Sequence, residues 1–244
     1  MTRTSLVIFS SNPDALVKSS GILRFMKVDI IHDAKQAKGI AVIIDILRAA
    51  TVEAYILGNN ADYIIPVKTK AEAFDIREKN PEVILIGESN GLKIEGFDYG
   101  NSPSEIKDVD FTGKIVVHRS SHGTKGLVDA QTSDQVVFGS FVTFSAIKKY
   151  LERTKPNIVS LVPTLDTGDD ELFADYLFRN LYGYENNFEE VKEQTKGLNN
   201  IFPDPKYPEF PEEDFHLALT LDTFPFLCIT DKKDGQLIVK KLEV

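Results

Sequence analysis

The chain has 244 residues, of which 42% are hydrophobic and 27% charged, so it is long enough for one large or two small domains with a buried core. Its formal net charge of −9 argues against nucleic acid or an anionic membrane as a partner, and no apolar segment is long enough to be a membrane-spanning helix. Cys228 is the only cysteine, which excludes an intramolecular disulfide and favours a cytoplasmic location.

The N-terminal segment lacks both clear hydrophobic periodicity and the pattern of a signal peptide. The core fold is predicted to begin at Met26, where the residues M-K-V-D-I-I have the composition of a first strand. Residues 1–25 are interpreted as an extension outside the core that could be disordered, with a strand at Ser5–Ser10 as the alternative. Residues 26–244 are then a single domain.

Apolar segments rich in Val and Ile recur along this domain and are typical of strands covered on both faces: Ile40–Ile44, Tyr63–Val67, Val83–Ile86, Lys114–His118, Gln135–Phe138 and Ile158–Val162. Helical patterns fall between them: Ala50–Leu57, Thr69–Lys79, Thr124–Ala130, Ser140–Leu151 and Asp169–Leu181. This alternation predicts a three-layer α/β/α fold with a mostly parallel or mixed central sheet.

The C-terminal third has a different character. The segment Gly183–Pro211 is charged and contains four prolines, which favours a short amphipathic helix followed by an irregular connection. From Leu217 to the end we expect a helix or extended stretch and then a hairpin. Its strands would be Phe226–Thr230 and Gln236–Lys240, joined by the turn residues Asp234 and Gly235.

The segment Gly87–Glu105 holds four glycines and four acidic residues in nineteen positions, directly after a predicted strand. Carboxylates on a glycine-rich backbone suit a hard divalent cation, and glycines also let the backbone approach an anionic ligand closely. Glu88 and Asp98 are therefore candidate metal ligands. The alternative is a set of Asx-type turns with solvated charges.

Asp45 and Arg48 follow another buried strand, in the residues A-V-I-I-D-I-L-R. In open α/β sheets, ligands bind beyond the carboxyl ends of the strands. An aspartate there can hold a metal or attack phosphorus, and an arginine can bind phosphate with two hydrogen bonds. The alternative is an aspartate that caps the next helix beside a solvated arginine.

A third cluster, His118–Gly126, also lies between a predicted strand and a predicted helix. Backbone amides and the hydroxyls of Ser120, Ser121 and Thr124 could bind an anion, although a simple helix cap would have the same composition. Positive charge is added by Arg119, His122 and Lys125. His118 itself could be a buried histidine with a structural partner.

Two further strand ends carry polar residues, at Ser140 and at Asp166–Glu171. We expect these loops to converge with the others on one edge of the sheet. A divalent cation that bridges protein carboxylates to a phosphate or similar oxyanion would satisfy both the acidic and the anion-binding groups.

The chain resembles the 2-phosphosulfolactate phosphatases, the family often called ComB. The family pattern D-V-L-R-A-T-T is similar to Asp45–Thr51, and its long pattern G-E-R-x-G-x-x-I-x-G-F-D-x-G-N-S-P-x-E is similar to Gly87–Glu105. Shorter likenesses occur at Ser120–Thr124, Gly139–Thr143, Asp169-Asp170 and Leu221–Phe224. The likeness extends from about Met26 to Cys228.

This resemblance implies Mg²⁺-dependent hydrolysis of the phosphate monoester of a small anionic hydroxy acid, with 2-phosphosulfolactate as the expected substrate. By position it implies metal ligation by Asp45, Glu88, Asp98 and Asp170. It implies catalytic roles for Asp45, Arg48, Ser121 and Thr124. It also implies substrate binding by Arg119, Ser120, Gly123, Asn101, Ser102 and Ser140.

Three positions depart from the family pattern. Ser89 replaces an Arg or Lys, His122 replaces an Asn or Ala, and Thr143 replaces an Asn. Two alternatives therefore stay open: a Mg²⁺ phosphohydrolase for another phosphorylated acid, or a member that binds a small anion without turnover. Whether Asp45 forms an aspartyl-phosphate or only binds metal is equally open, and a homodimer is the default expectation.

Overall fold

The structure is a computed structural model that describes residues 26–165, 168–199, 201–202 and 204–244. Within these residues the strands are β1 (Lys27–Ile30), β2 (Ile40–Ile44), β3 (Tyr63–Val67), β4 (Ile84–Ser89), β5 (Leu92–Lys93), β6 (Ile115–Arg119), β7 (Gln135–Gly139), β8 (Ile158–Pro163), β9 (Phe226–Lys233) and β10 (Gln236–Glu243). The α-helices are α1 (Ala49–Gly58), α2 (Lys70–Lys79), α3 (Pro103–Ile106), α4 (Gly123–Asp129), α5 (Phe144–Thr154), α6 (Asp169–Tyr182), α7 (Phe188–Leu198) and α8 (Glu212–Ala218). The predicted N-terminal extension, with its alternative strand at Ser5–Ser10, lies outside the described residues.

The predicted strands and helices are present, with ends that shift by a few residues. Thr69 caps α2, because its hydroxyl accepts from the amide of Glu72 while the Glu72 carboxylate accepts from the amide of Thr69. The predicted helix at Ser140–Leu151 is a 3-10 turn at Phe141–Thr143 followed by α5. The short elements β5, α3 and α8 are not predicted from the sequence.

The central sheet is mixed, and its strand order is β1-β8-β2-β7-β9-β10-β3-β6-β4-β5. The C-terminal hairpin is confirmed, and its turn residues Asp234 and Gly235 have φ angles of 52° and 81°, as a two-residue hairpin turn requires. The hairpin lies in the middle of the sheet, because β9 pairs with β7 and β10 pairs with β3. It therefore joins two groups of parallel strands. One group consists of β1, β8, β2 and β7, and the other of β3, β6 and β4.

The two groups run in opposite directions, since every pairing from β7 through β9 and β10 to β3 is antiparallel. In a flat sheet, β2 and β6 would be five spacings of about 4.8 Å apart, or about 24 Å. Yet α4, a helix about 10 Å wide, contacts both of them. The sheet must therefore curl around α4, and this curl brings together strand ends that a flat sheet would separate.

Helices cover both faces and complete the three-layer α/β/α architecture. On one face α5 and α6 pack against β1, β2 and β8 through a core that includes Phe141 and Phe173. On the other face α1 and α4 pack inside the curl, with Phe138 and Ile43 fully buried between them. None of the helices in the described residues is long and apolar enough to cross a bilayer.

Candidate active site

Asp45 lies where β2 ends and α1 begins, and its side chain is 4% exposed. Its Oδ1 accepts a hydrogen bond from the amide of Ala49 at 2.9 Å, so it binds the first turn of α1 as the capping interpretation predicts. Its other oxygen, Oδ2, faces the backbone of Gly123 at the start of α4, where an added Cβ would lie only 2.6 Å away. The carboxylate therefore bridges the beginnings of two helices.

Several carboxylates surround Asp45, and together they raise its pKa. Burial is the main cause of the shift from 3.8 to about 6, and the charges of Asp169 and Glu88 raise the pKa further. The charge of His118 acts in the opposite direction. Such a buried, mutually repelling set of carboxylates is a feature of functional sites, because a bound cation would relieve the repulsion.

Glu88, at the end of β4, is held by the loop that follows β6. Its Oε1 accepts from the amide of Ser121, and its Oε2 accepts from the Ser121 hydroxyl at 3.1 Å and from the amide of Gly91 at 2.7 Å. Arg119 donates to the carbonyl of Glu88. Glu88 thus connects the glycine-rich loop to the loop that follows β6, while Arg119 and Ser121 help to fix that connection.

Of the two other predicted ligands, Asp170 lies beside Asp45 and is held by backbone amides. Asp170 accepts from the amides of Ile46, Thr164 and Leu165, so both of its oxygens join the end of β2 to the end of β8. Burial raises the pKa of Asp170 well above its ordinary value. These contacts fix Asp170 beside Asp45, whose charge raises the pKa of Asp170 further.

Asp98 lies away from the other predicted ligands. It forms an ion pair with Arg77 and accepts from the amide of Leu85, near the beginning of β4 and not near its end. Its side chain is 40% exposed. The structure therefore does not bring Asp98 together with Asp45 and Glu88.

Ser120 and Thr124 hold one another. The amide of Ser120 donates to the Thr124 hydroxyl at 2.9 Å, and the amide of Thr124 donates to the Ser120 hydroxyl at 3.0 Å. Ser140, likewise, pairs with the hydroxyl of Thr51 at 2.6 Å. The hydroxyl groups of Ser120, Thr124 and Ser140 therefore already have hydrogen-bond partners within the protein, and these bonds fix the shape of the loops.

The amides of His122 and Gly123 are different. They precede the first hydrogen bond of α4, which joins Gly126 to the carbonyl of His122. Neither amide donates to any residue that the structure describes. Together with Asp45 Oδ2, they form the part of the site that could receive a phosphoryl group and its associated cation.

Because Gly123 touches Asp45, we expect Gly123→Ala to destabilise the protein by about 1–3 kcal/mol and to lower phosphatase activity. The added methyl would meet Asp45 Oδ2 and Phe138 Cζ, each at 2.6 Å. Gly197→Ala is the matched control, since a Cβ there meets nothing within 4 Å, and it should stabilise α7 by about 0.5–1 kcal/mol. Urea unfolding of both variants checks the difference. Equal midpoints would show that Gly123 has room for a side chain.

Arg48 is buried with its counterion. It is 4% exposed and forms an ion pair of 2.8 Å with Asp214 of α8, which is fully buried. The guanidinium also donates to the carbonyl of Glu209 and lies over the ring of Phe210, 4.6 Å from its centroid. The alternative of a solvated arginine is thus wrong.

Asp214 also organises the loop before α3. One of its oxygens accepts from the Ser102 hydroxyl at 2.8 Å and from the amide and hydroxyl of Ser104 at 2.9 and 2.6 Å. Arg48, Ser102 and Ser104 line a cavity of about 320 Å³, together with Asn101. The structure therefore brings together Arg48, Asn101 and Ser102, as the sequence predicts.

Asn101 is joined to a buried pair of residues, His118 and Glu53, of which the sequence singles out only His118. Its Oδ1 lies 3.0 Å from Nε2 of His118, whose Nδ1 lies 2.9 Å from Oε1 of Glu53. Both His118 and Glu53 are fully buried. Each ring nitrogen of His118 thus has a hydrogen-bond partner, which agrees with the interpretation of His118 as a buried histidine with a structural partner.

Sequence reasoning misses Asp214 and Glu53. Asp214 lies in the acidic first turn of α8, where helix-dipole effects alone would explain an acidic residue. Glu53 lies among apolar residues of α1, and a charged residue inside such a segment is the signal that could have identified it.

The acidic donor set suits Mg²⁺, although it is not a complete metal cage. Within residues 26–165, 168–199, 201–202 and 204–244, no three His, Cys, Asp or Glu side chains are grouped as metal ligands. Mg²⁺ usually keeps several waters and binds one or two carboxylates plus substrate phosphate. Asp45 with Asp169 or Glu88 meets that requirement.

A family model described as 2-phosphosulpholactate phosphatase matches residues 25–206 of the chain. The chain belongs to this family. Membership places the protein among the phosphoric monoester hydrolases. The match covers Asp45, Glu88, Gly123 and Asp170, and it ends before Asp214.

Individual relatives agree with the family model. The chain is 37% identical over 169 residues to a probable 2-phosphosulfolactate phosphatase of Clostridium perfringens. The alignment covers 64% of this chain and 68% of the relative. A probable 2-phosphosulfolactate phosphatase from Thermoplasma acidophilum is 34% identical over 163 residues. That alignment covers 66% of this chain and 73% of the relative. One from Thermoplasma volcanium is 31% identical over 209 residues, and there the alignment covers 82% of this chain and 92% of the relative.

Proposed function

We propose that the protein is a Mg²⁺-dependent phosphatase for the phosphate monoester of a small anionic hydroxy acid, with 2-phosphosulfolactate as its substrate. The products would be sulfolactate and phosphate. The observation that carries this proposal is the buried carboxylate of Asp45 beside the amides of His122 and Gly123. Family membership and the names of the relatives support the same reaction.

In this proposal the substrate lies between the two helix beginnings and the cavity. The amides of His122 and Gly123 donate to phosphoryl oxygens, where negative charge builds during transfer. Arg48, held by Asp214, donates from the cavity side and orients the substrate. Mg²⁺, held by Asp45 with Asp169 or Glu88, would neutralise charge on the phosphoryl oxygens.

The contacts of Ser121, Ser120 and Thr124 imply supporting roles. Ser121 fixes Glu88, and the pair Ser120–Thr124 fixes the turn that presents the Gly123 amide. Arg119 lies beside them and adds positive charge to a protein of net charge −9. A homodimer remains a prediction that analytical ultracentrifugation would check, and we propose that the reaction needs neither nucleic acid nor a membrane.

Phosphate release from a panel of substrates tests the proposal directly. We expect turnover of 2-phosphosulfolactate with Mg²⁺, and loss of at least about 10²-fold when EDTA replaces Mg²⁺, because the phosphoryl charge is then unneutralised. 2-Phospholactate and 3-phosphoglycerate are the comparison substrates, since each is a phosphorylated hydroxy acid that keeps a carboxylate but lacks the sulfonate.

Each outcome of the panel has a distinct meaning. Faster turnover of either comparison substrate, which lacks the sulfonate, would assign the protein to another phosphorylated acid. Full activity in EDTA would contradict the metal requirement. Stabilisation of the protein by 2-phosphosulfolactate without any release of phosphate would identify a binding protein and contradict the proposed catalysis.

A further inference from the structure

The residues Glu53, His118 and Asn101 form a buried chain of hydrogen bonds that runs from α1 through β6 to the cavity. The distances are 2.9 Å from Glu53 Oε1 to His118 Nδ1 and 3.0 Å from His118 Nε2 to Asn101 Oδ1. Glu53 and His118 are fully buried, and Asn101 is 6% exposed. The chemistry described above leaves this chain without a role.

The surroundings of Glu53 determine where the protons lie. Its second oxygen, Oε2, is buried and has no hydrogen-bond partner among the described residues. Burial raises the pKa of Glu53, and the hydrogen bond with His118 only partly offsets this. Burial also raises the pKa of the neighbouring Cys228 thiol well above its ordinary value, so this thiol is neutral and does not offset a negative charge on Glu53. A net negative charge at this place would be strongly unfavourable, because it would be buried without a compensating partner.

The pair Glu53–His118 is therefore neutral as a whole, either as carboxylate and imidazolium or as carboxylic acid and imidazole. With one proton between Glu53 Oε1 and His118 Nδ1, the second proton of the neutral pair lies on Nε2. That Nε2–H group needs an acceptor, which the Asn101 Oδ1 supplies. If the Asn101 amide were reversed, Nε2 would have to be unprotonated. The pair would then either carry a net negative charge or place its second proton on Glu53 Oε2, which is buried and has no acceptor among the described residues.

The amide of Asn101 is thus fixed in one orientation, and its NH₂ group is left to face the cavity that Asn101 lines. No described residue accepts a hydrogen bond from this group. Arg48 and Ser102 line the same cavity. Of the nearby carboxylates, Glu105 is paired with Lys93 and Glu213 with Lys107.

We propose that Glu53 and His118 are positioning residues that hold the Asn101 NH₂ group in the cavity as a donor to the acid group of the substrate. This inference rests on the proposed function, since it names the part of the substrate that this cavity recognises. A sulfonate or carboxylate accepts hydrogen bonds only, so a fixed donor selects it over a hydroxyl that would itself need an acceptor. Binding of the phosphoryl group at Asp45 and Gly123 does not use this donor.

The double variant Glu53→Leu with His118→Leu removes the pair without leaving a buried charge. With Asn101 free to rotate, we expect KM for 2-phosphosulfolactate to rise about tenfold while kcat changes by less than about twofold. The competitive inhibition constant of inorganic phosphate should stay the same, because phosphate lacks the acid group. An unchanged KM, or a parallel rise of KM and of the phosphate inhibition constant, would overturn the inference.

Asn101→Asp is the second variant, and it decides the outcome if the double variant does not fold. An aspartate can still accept from His118 Nε2, but it offers the cavity an oxygen in place of a donor. We expect KM for 2-phosphosulfolactate to rise at least tenfold, and by more than the inhibition constant of phosphate. Equal changes in both constants would count against the inference.

A spectroscopic measurement separates this inference from the proposed function. Long-range ¹⁵N–¹H correlation spectra of the wild-type protein should show a protonated Nε2 in His118, identified among the four histidines by its loss in the double variant. An unprotonated Nε2 overturns the inference whatever the activity. If no phosphorylated acid is hydrolysed, the proposed function fails, and the protonation of Nε2 alone decides whether Asn101 is held as a donor.

Discussion

Replacing Asp45 with Asn is expected to lower kcat by about 10³-fold while leaving the fold intact. The Asn side chain keeps an oxygen that can accept from the amide of Ala49, so the cap of α1 is preserved. It removes the negative charge that we propose binds Mg²⁺ beside the phosphoryl group. Phosphate release with saturating Mg²⁺ measures the loss, and wild-type activity in this variant would contradict the proposed site.

The same variant should be more stable than the wild type at neutral pH in EDTA. The pKa of Asp45 is about 6 in the folded protein and 3.8 in an unperturbed aspartate. The folded state therefore binds more protons, so the stability linked to Asp45 is present below pH 3.8 and is lost as pH rises through 6. Thermal unfolding should show the advantage of Asp45→Asn growing over this interval.

Asp98→Asn is the matched control for both measurements. Asp98 pairs with Arg77 at a partly exposed position and makes no contact with Asp45 or Glu88. We expect unchanged kcat and a loss of stability below about 1 kcal/mol. Abolished activity would show that the loop after β4 moves Asp98 into the site, as the resemblance implies.

Asp214→Ala is expected to destabilise the protein by about 3–5 kcal/mol, because it leaves the guanidinium of Arg48 buried without its counterion. It also removes the acceptor for Ser102 and Ser104. Neither Arg48 nor these two serines would then be held in place in the lining of the cavity. Denaturant unfolding measures the loss of stability. Activity, measured at a temperature where the variant is folded, should fall as well because Arg48 is no longer fixed.

Glu213→Ala on the same helix is the control for Asp214→Ala. Glu213 is 51% exposed and pairs with Lys107 at the surface, so its removal should cost less than about 1 kcal/mol. A small effect of Asp214→Ala, equal to that of the control, would mean that water reaches Arg48 and replaces its counterion.

Local patterns were sufficient to predict most of the secondary structure and part of the site. Asp45, Glu88 and Gly123 each lie where a strand ends, and strand ends are visible as apolar segments followed by polar or glycine-rich residues. The predicted convergence of these three is consistent with the structure, although the mechanism differs from the prediction. The sequence predicts convergence on one edge of a mostly parallel or mixed sheet, whereas the residues come from two groups of strands that run in opposite directions and meet because the sheet curls.

What could not be predicted depends on pairing between distant parts of the chain. Arg48 and Asp214 are 166 positions apart, and no local pattern connects them. The loop after β4 turns back through β5, so that the backbone of Asp98 pairs with Leu85 and its carboxylate faces Arg77. The composition of that loop indicates ligand chemistry but not which carboxylates face inward.

The central position of the β9–β10 hairpin has a consequence for folding on the ribosome. Within the described residues, the strand pairing that connects the two groups of parallel strands runs only through this hairpin, which is formed from residues 226–243. Domains can begin to fold during synthesis, but long-range strand pairing is slow. We therefore expect the nascent chain to hold two unjoined halves, with exposed strand edges, until β10 has left the exit tunnel.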